Sequence, residues 1–340
     1  MKPVLSLLLA FIFITTACDK KSSGGSEVSP PSNLNINAVV STDNSGNVSF
    51  TATATNAVVY LFDFGDGSNQ VSANGVLTHK YVSSATYTVT VVAKNSTNQS
   101  ISKSITVTVK MELSLAWSDE FETAGAPDAA KWGYDLGAGG WGNNESQYYT
   151  NRPENVIVSD GTLKIMAKRE NFSGSEFTSA RLLTKGKYAF KYGKIEVRAK
   201  LPVGIGTWPA IWMLGNNFSS VGWPASGEID IMEHLGRELN KIHSTLHHPG
   251  HSGANGDGGS TTITNTTTEF HKYAAEWTPG FIKFSVDDVV FYTFTNSATL
   301  PFNQEFFIIL NVALGGNWPG PVDPAFSSAA MEIDYVRVYQ

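Results

Sequence analysis

The chain reads as an all-β protein built from two sandwiches in series, and three observations predict this. Runs rich in Val, Thr, Ile, Phe and Tyr, such as 87–92 and 306–312, recur between punctuation by Gly, Pro, Asn and Ser. No stretch of any length repeats Leu, Ala, Glu and Lys at a helical period. The 31 glycines and 11% aromatic residues suit many short strands joined by tight turns, and 340 residues suffice for two domains plus a targeting segment. Charged residues make up only 16% and the net charge is −6, so there is no basic footprint for nucleic acid and that function class is set aside.

From the N-terminus, Lys2 precedes an apolar run from Val4 to Ile14, followed by Thr15-Thr16-Ala17-Cys18. The run is too short for a comfortable membrane span and reads as a signal peptide over 1–17. Cys18, the single cysteine, lies at a small-residue junction that resembles a bacterial lipobox, although Thr15 stands where Leu is usual. The resemblance implies a lipidated Cys18 and an exported lipoprotein, membrane-anchored at the outer membrane or cell surface. With that thiol used, no disulfide remains to support the fold. Residues 18–33, rich in Lys, Ser, Gly and Pro, read as a flexible tether.

Residues 34–110 form the first sandwich. Runs of Val, Thr, Ala and Tyr broken by Asn-Ser-Gly and Gly-Asp-Gly turns predict a small seven-strand, Ig-like unit. Its Tyr60-Leu61-Phe62-Asp63-Phe64-Gly65-Asp66-Gly67-Ser68 segment, with His79-Lys80-Tyr81 and Tyr87-Thr88-Val89-Thr90-Val91, resembles a PKD domain. Asp63 and Asp66 are too few acids for a calcium loop and are assigned to turn hydrogen bonding. The expected role is a spacer. Residues 111–340 then form the second, catalytic domain.

The catalytic assignment rests on Gly227-Glu228-Ile229-Asp230-Ile231-Met232-Glu233-His234, where three carboxylates sit in an apolar run. Burial raises a carboxyl pKa, as a general acid near neutral pH requires. On a helix, Glu228 and Glu233 would lie about 140° apart and face different ways. On a regular strand, Met232 rather than Glu233 would share the face of Glu228 and Asp230. One extra residue, a β-bulge, returns Glu233 to that face, and bulges are over-represented beside active sites. Two carboxylates with a third acid between them are the equipment of a retaining glycosidase, one attacking the anomeric carbon and the other protonating the leaving oxygen.

Residues 111–340 resemble glycoside hydrolase family 16, in its laminarinase-like branch of endo-β-1,3-glucanases. The matching stretches are Gly140-Trp141-Gly142-Asn143-Asn144-Glu145-Ser146-Gln147-Tyr148-Tyr149-Thr150, Tyr192-Gly193-Lys194-Ile195-Glu196-Val197-Arg198-Ala199, Gly206-Thr207-Trp208-Pro209-Ala210-Ile211-Trp212-Met213-Leu214-Gly215, the acid motif, and Glu332-Ile333-Asp334-Tyr335-Val336-Arg337-Val338-Tyr339. The resemblance implies a concanavalin-like β-jelly-roll and retaining endo-hydrolysis of a laminarin-like glucan. It implies Glu228 as nucleophile, Asp230 as electrostatic helper and Glu233 as acid/base, with no cofactor for catalysis. The alternatives are mixed-linkage β-glucan or a red-algal galactan as substrate, and a non-catalytic glucan-binding protein on the same sandwich. A monomer is the default.

Flat sugar faces stack on aromatic rings, and Trp208, Trp212 and Trp223 precede Glu228 within 20 residues. They are expected to line the cleft, although each is also a candidate core residue. By resemblance, Asn143 and Arg181 bond sugar hydroxyls, and His247 is a cleft histidine. His243 and His247 share a strand face and, with His251, invite a zinc reading, but there is no HExxH pattern and the paired acids need no metal. His243, His248 and His251 stay unassigned, and 248–259 reads as a mobile loop beside the cleft. The resemblance also implies a structural calcium held by Glu120, the Gly161 backbone and Asp334.

Overall fold

The computed structural model describes residues 28–340. The expected signal peptide over 1–17, Cys18 and most of the 18–33 tether lie outside the described residues. The all-β expectation holds. Strands run throughout, and among the described residues the one α-helix is the four-residue turn Phe218–Val221.

Near the N-terminus, one sheet joins Ser32–Val40, Asn47–Thr55 and Val76–Lys80, and another joins Asn69–Ser72, Val59–Asp63, Ala85–Lys94 and Ser100–Val109. Alternation makes this sandwich. Along Asn47–Thr55, Val48, Phe50 and Ala52 are buried while Ser49, Thr51 and Thr53 face out, and the inward set packs on Phe62, Phe64, Tyr81 and Val91. Asp63 and Asp66 accept backbone N–H bonds from Gly65 and Ser68, both at 3.0 Å, and Asp66 also pairs with His79 at 2.7 Å. These are the turn bonds read from the sequence.

The remainder forms two larger sheets around one core. The seven-stranded sheet runs Asp257–Thr262, Lys241–His247, Glu228–His234, Thr207–Gly215, Phe306–Leu314, Arg181–Leu183, Gly133–Asp135 in spatial order. The ten-stranded sheet carries the C-terminal strand Ser328–Tyr339 between Thr162–Phe172 and Gly193–Lys200. Ile211, Met213, Ile229, Met232, Ile242, Leu246, Ile308 and Leu310 contribute one face of the first sheet to the shared core, where they meet Leu163, Ile165, Val197, Val336 and Val338 of the second. Every residue of Phe306–Leu314 is buried, as a strand covered on both faces must be. Its outward residues Phe307 and Ile309 pack with Leu183 and Leu214 in a separate apolar cluster. The other end of that outward face carries the polar site.

Candidate active site

The acid strand Glu228–His234 lies between Thr207–Gly215 and Lys241–His247. Its register shows the extra residue. Against Lys241–His247 the partners are Glu228↔His247, Asp230↔Thr245 and then Glu233↔His243, so three steps on the acid strand oppose two on its neighbour. Against Thr207–Gly215, Trp212 opposes Asp230 while the adjacent Ile211 opposes Met232. This is the bulge that the spacing predicts, and it places Glu228, Asp230 and Glu233 on the sheet face turned away from the core. Ile229, Ile231 and Met232 enter the core and hold the strand rigid.

Partners opposite one another across an antiparallel pair share a face, so the same face also carries Trp208, Trp212, His243, Thr245, His247, Asn311 and Arg181. Trp223 donates its indole N–H to Glu228 Oε2 at 3.0 Å, and Trp208 donates to Glu233 Oε1 at 3.0 Å. The Thr245 hydroxyl donates to Glu233 Oε2 at 3.2 Å. His247 Nε2 lies 3.2 Å from Asp230 Oδ2 and 3.7 Å from Glu228 Oε1. Asp230 is 4% exposed, and its Oδ2 accepts no hydrogen bond from the described residues.

Burial, then the charge of Asp230, pushes both Glu228 and Glu233 up to about 8, and burial raises Asp230 well above the usual carboxylate range. His247 acts against this at both glutamates. Three acids packed so closely hold fewer charges than carboxyls at neutral pH. The cluster therefore keeps a carboxyl protonated near neutral pH, as acid chemistry requires, and its three acids titrate as a unit.

The other expected site residues divide. Trp223 is 45% exposed although its N–H is committed to the half-buried Glu228, so its ring is available to a ligand. Trp212 is half-buried, donates to Asn311 Oδ1 at 2.7 Å and carries the Arg181 guanidinium over its ring at 4.7 Å. Arg181 is paired with Asp135 at 3.0 Å and also covers Trp141 at 5.0 Å. Asn143 donates to Glu145 Oε1 at 3.3 Å. Glu145, with its pKa raised by burial, also accepts from Gln147 at 2.6 Å and Tyr149 at 3.2 Å, and Tyr149 accepts from Asn311 at 3.1 Å. A continuous relay thus runs from Asn143 to Trp212.

Several residues of this face were not found in the sequence. Asn311 sits in an unbroken apolar run, where a lone amide was the signal. Trp318 stands edge-on to Trp208 at 5.5 Å and beside His243 at 5.0 Å, and Arg237 donates to its carbonyl. Its signal was Gly315-Gly316-Asn317-Trp318-Pro319-Gly320 directly after a strand. Gly315 and Gly316 have φ of 66° and 111°, and a Cβ on Gly316 would meet the Asn143 carbonyl oxygen at 2.8 Å.

The expected calcium ligands are differently engaged. Glu120 accepts two bonds from Arg337, at 3.0 and 2.8 Å, and Asp334 pairs with Arg198. As arranged the set does not fit calcium. It supplies two carboxylates already neutralised by guanidinium groups and one carbonyl, against the six to eight oxygens that the ion takes.

An all-β sandwich carrying two acids, one buried and one half-buried, under indole N–H donors, with an exposed tryptophan beside them, has the build of a glycoside hydrolase. Comparison with known proteins agrees. The sequence model for Glycosyl hydrolases family 16 matches residues 143–337. Another, for the beta-glucan synthesis-associated protein SKN1/KRE6/Sbg1, matches residues 43–229 and stops before Asp230 and Glu233. The chain is 48% identical over 242 residues to a beta-glucanase of Rhodothermus marinus, covering 66% of this chain and 85% of that protein. It is 40% identical over 248 residues to a glucan endo-1,3-beta-glucosidase of Cryptopygus antarcticus, covering 66% and 90%. The solved structure of the laminarinase from Rhodothermus marinus superposes with a TM-score of 0.65 at 48% identity, over 67% of this chain and 98% of that one. The chain belongs to glycosyl hydrolase family 16, and the jelly-roll expectation holds with it.

Proposed function

We propose that this enzyme is an endo-β-1,3-glucanase that cleaves laminarin-like glucan with retention of configuration. The observation that carries the mechanism is the bulge that sets Glu228, Asp230 and Glu233 on one buried face, each glutamate held by an indole N–H. The substrate reading is supported by the relatives named beta-glucanase, glucan endo-1,3-beta-glucosidase and laminarinase. Glu228 attacks the anomeric carbon as Glu233 gives its proton to the departing glycosidic oxygen, forming a glycosyl ester on Glu228. Esterification removes the charge of Glu228, and loss of a neighbouring negative charge lowers the pKa of Glu233 and turns it into the base that takes a proton from water. That water then releases the sugar and restores both acids. Asp230 and His247 tune the two glutamates, and Trp223 and Trp208 flank the sugars. Asn143 and Arg181 bond sugar hydroxyls once substrate draws them from Glu145 and Asp135.

Other parts of the chain complete the proposal. Residues 34–110 serve as a PKD-type spacer ahead of a catalytic domain over 111–340, supported by the motif around Asp63 and Asp66. A signal peptide and a lipid on Cys18 place the enzyme at a bacterial outer membrane or cell surface, supported by the apolar run and the small-residue junction. The enzyme acts as a monomer. Calcium at Glu120, Gly161 and Asp334 is left out of the proposal because Arg337 and Arg198 occupy both acids, and a melting temperature unmoved by calcium is the expected result.

The deciding experiment is reducing-sugar release from laminarin, mixed-linkage β-glucan, agarose and carrageenan, with Glu228→Gln as control. Rapid release of short oligosaccharides from laminarin, with β-anomers formed first by NMR and all turnover lost in the control, is expected. Activity on a galactan alone overturns the substrate. Initial α-anomers overturn the retaining mechanism.

A further inference from the structure

The loop that follows the cleft histidine carries a second cluster of ligand-type side chains that the glucanase chemistry does not use. His248 Nε2 lies 2.9 Å from Asp257 Oδ2, and His251 Nδ1 lies 3.1 Å from that oxygen and 3.2 Å from Oδ1. The three donors lie within 4.8 Å of one another. Tetrahedral zinc, with bonds of about 2.0–2.2 Å, separates its ligand atoms by about 3.3 Å, close to these spacings.

The backbone holds this geometry ready. His248 and His251 close a Pro249-Gly250 turn by reciprocal bonds, His248 N–H to the His251 carbonyl at 2.8 Å and His251 N–H to the His248 carbonyl at 2.9 Å. Their rings lie nearly parallel at 4.7 Å. His248 is buried at 5% exposure against Phe294 and Phe302, which restricts its ring. Asp257 opens the strand Asp257–Thr262 and is fixed opposite Leu246. Ligands whose rotamers and backbone are already set lose little entropy on taking up an ion.

We propose that His248, His251 and Asp257 form a binding site for a divalent transition metal of the zinc class, which clamps the 248–257 loop. Two imidazoles and one carboxylate suit zinc and leave a fourth position for water. The clamp bears on the cleft, because the loop returns through Gly256, where a Cβ would stand 2.8 Å from the His247 ring. Fixing the loop holds that wall against His247.

The test uses the purified chain, freed of metal by a chelator and titrated with zinc alone by calorimetry, with melting curves in parallel. Glu228, Asp230 and His247 also lie within 4.8 Å of one another, so Glu228→Gln serves to separate the two clusters. One zinc ion is expected, with a dissociation constant of micromolar or below. At a hundredfold excess over that constant the melting temperature rises by roughly 5–10 °C. His251→Ala and Asp257→Asn each weaken binding by more than the roughly 10–100-fold contributed by outer-layer partners, and Glu228→Gln leaves it unchanged. His251 has a 52% exposed side chain, so its variant keeps the metal-free melting temperature. A cobalt(II) derivative with an intense visible spectrum, lost in His251→Ala, reports tetrahedral ligation. No zinc uptake at millimolar concentration, uptake indifferent to His251→Ala and Asp257→Asn, or uptake abolished by Glu228→Gln each overturns the proposal.

Discussion

Replacing Glu233 by Gln is expected to stabilise the protein while it removes activity, and the gain follows from the burial of the acids. Glu233 is pushed from an ordinary 4.5 to about 8, with burial the largest cause and Asp230 next. At pH 7 the folded protein retains a proton that the unfolded chain has released. Over the 2.5 pH units between 4.5 and 7, at 1.36 kcal/mol each, this costs about 3 kcal/mol of stability. The sign is set by the raised pKa: the cost is absent below pH 4.5, grows between 4.5 and 8, and is constant above. Glutamine is neutral throughout, and its amide keeps an oxygen for the Trp208 N–H and offers an N–H to the Thr245 hydroxyl. Glu228 and Asp230 titrate in the same cluster and share part of this cost, so a net gain of about 1–3 kcal/mol at pH 7 is expected. That corresponds to roughly 3–10 °C in melting temperature. The assay compares melting temperatures of the two proteins from pH 4 to 8.5, beside laminarin turnover, which falls by about 10²–10⁴. A melting difference that is the same at pH 4 and pH 8, or that shrinks as pH rises, refutes the buried-acid account.

The remaining expectations concern the neighbours of the acids. His247 lowers the pKa of both glutamates, so in His247→Asn both limbs of the pH profile of kcat/KM move to higher pH; an unmoved profile rejects that coupling. Asn311→Ala leaves the Trp212 indole N–H without its acceptor, at about 1–3 kcal/mol, while the Tyr149 hydroxyl keeps its bond to Glu145, and lowers the melting temperature by roughly 3–10 °C. A fall of less than 2 °C by calorimetry, on the order of 1 kcal/mol or less, removes Asn311 from the relay. Trp318→Ala loses an aromatic pair with Trp208 worth about 0.5–1.5 kcal/mol. If that pair supports bound sugar, KM for laminarin rises roughly 2–12-fold with kcat nearly unchanged, and a fall in kcat alone contradicts it.

The acid strand was legible because two periodicities conflict within eight residues. Ile229 and Ile231 alternate as a strand requires, while Glu233 falls one position out of phase with Glu228 and Asp230. Only an inserted residue reconciles them, and the register shows it. Trp208 and Trp223 were legible through chemistry and proximity. Asn311, Tyr149, Trp318 and Asp135 were not, because each reaches the site from a strand or loop whose own pattern is apolar or turn-like. Glu120 and Asp334 show the reverse. Their residue types suit calcium, but their guanidinium partners Arg337 and Arg198 come from register, which no local pattern contains.

By itself the sequence determined the strand periodicity, the turn positions, the out-of-phase acid and the residue types available for chemistry. These are local properties, set by side-chain volume, backbone freedom at Gly and Pro, and hydrophobic alternation. The tertiary structure decided which distant groups meet: an indole on each glutamate, a histidine on Asp230, a relay from Asn143 to Trp212, and three ligand groups gathered by the 248–257 loop. It decided the electrostatics as well. A carboxyl is an ordinary acid until a second sheet closes over the core beneath it and leaves three charges competing for one poorly solvated face.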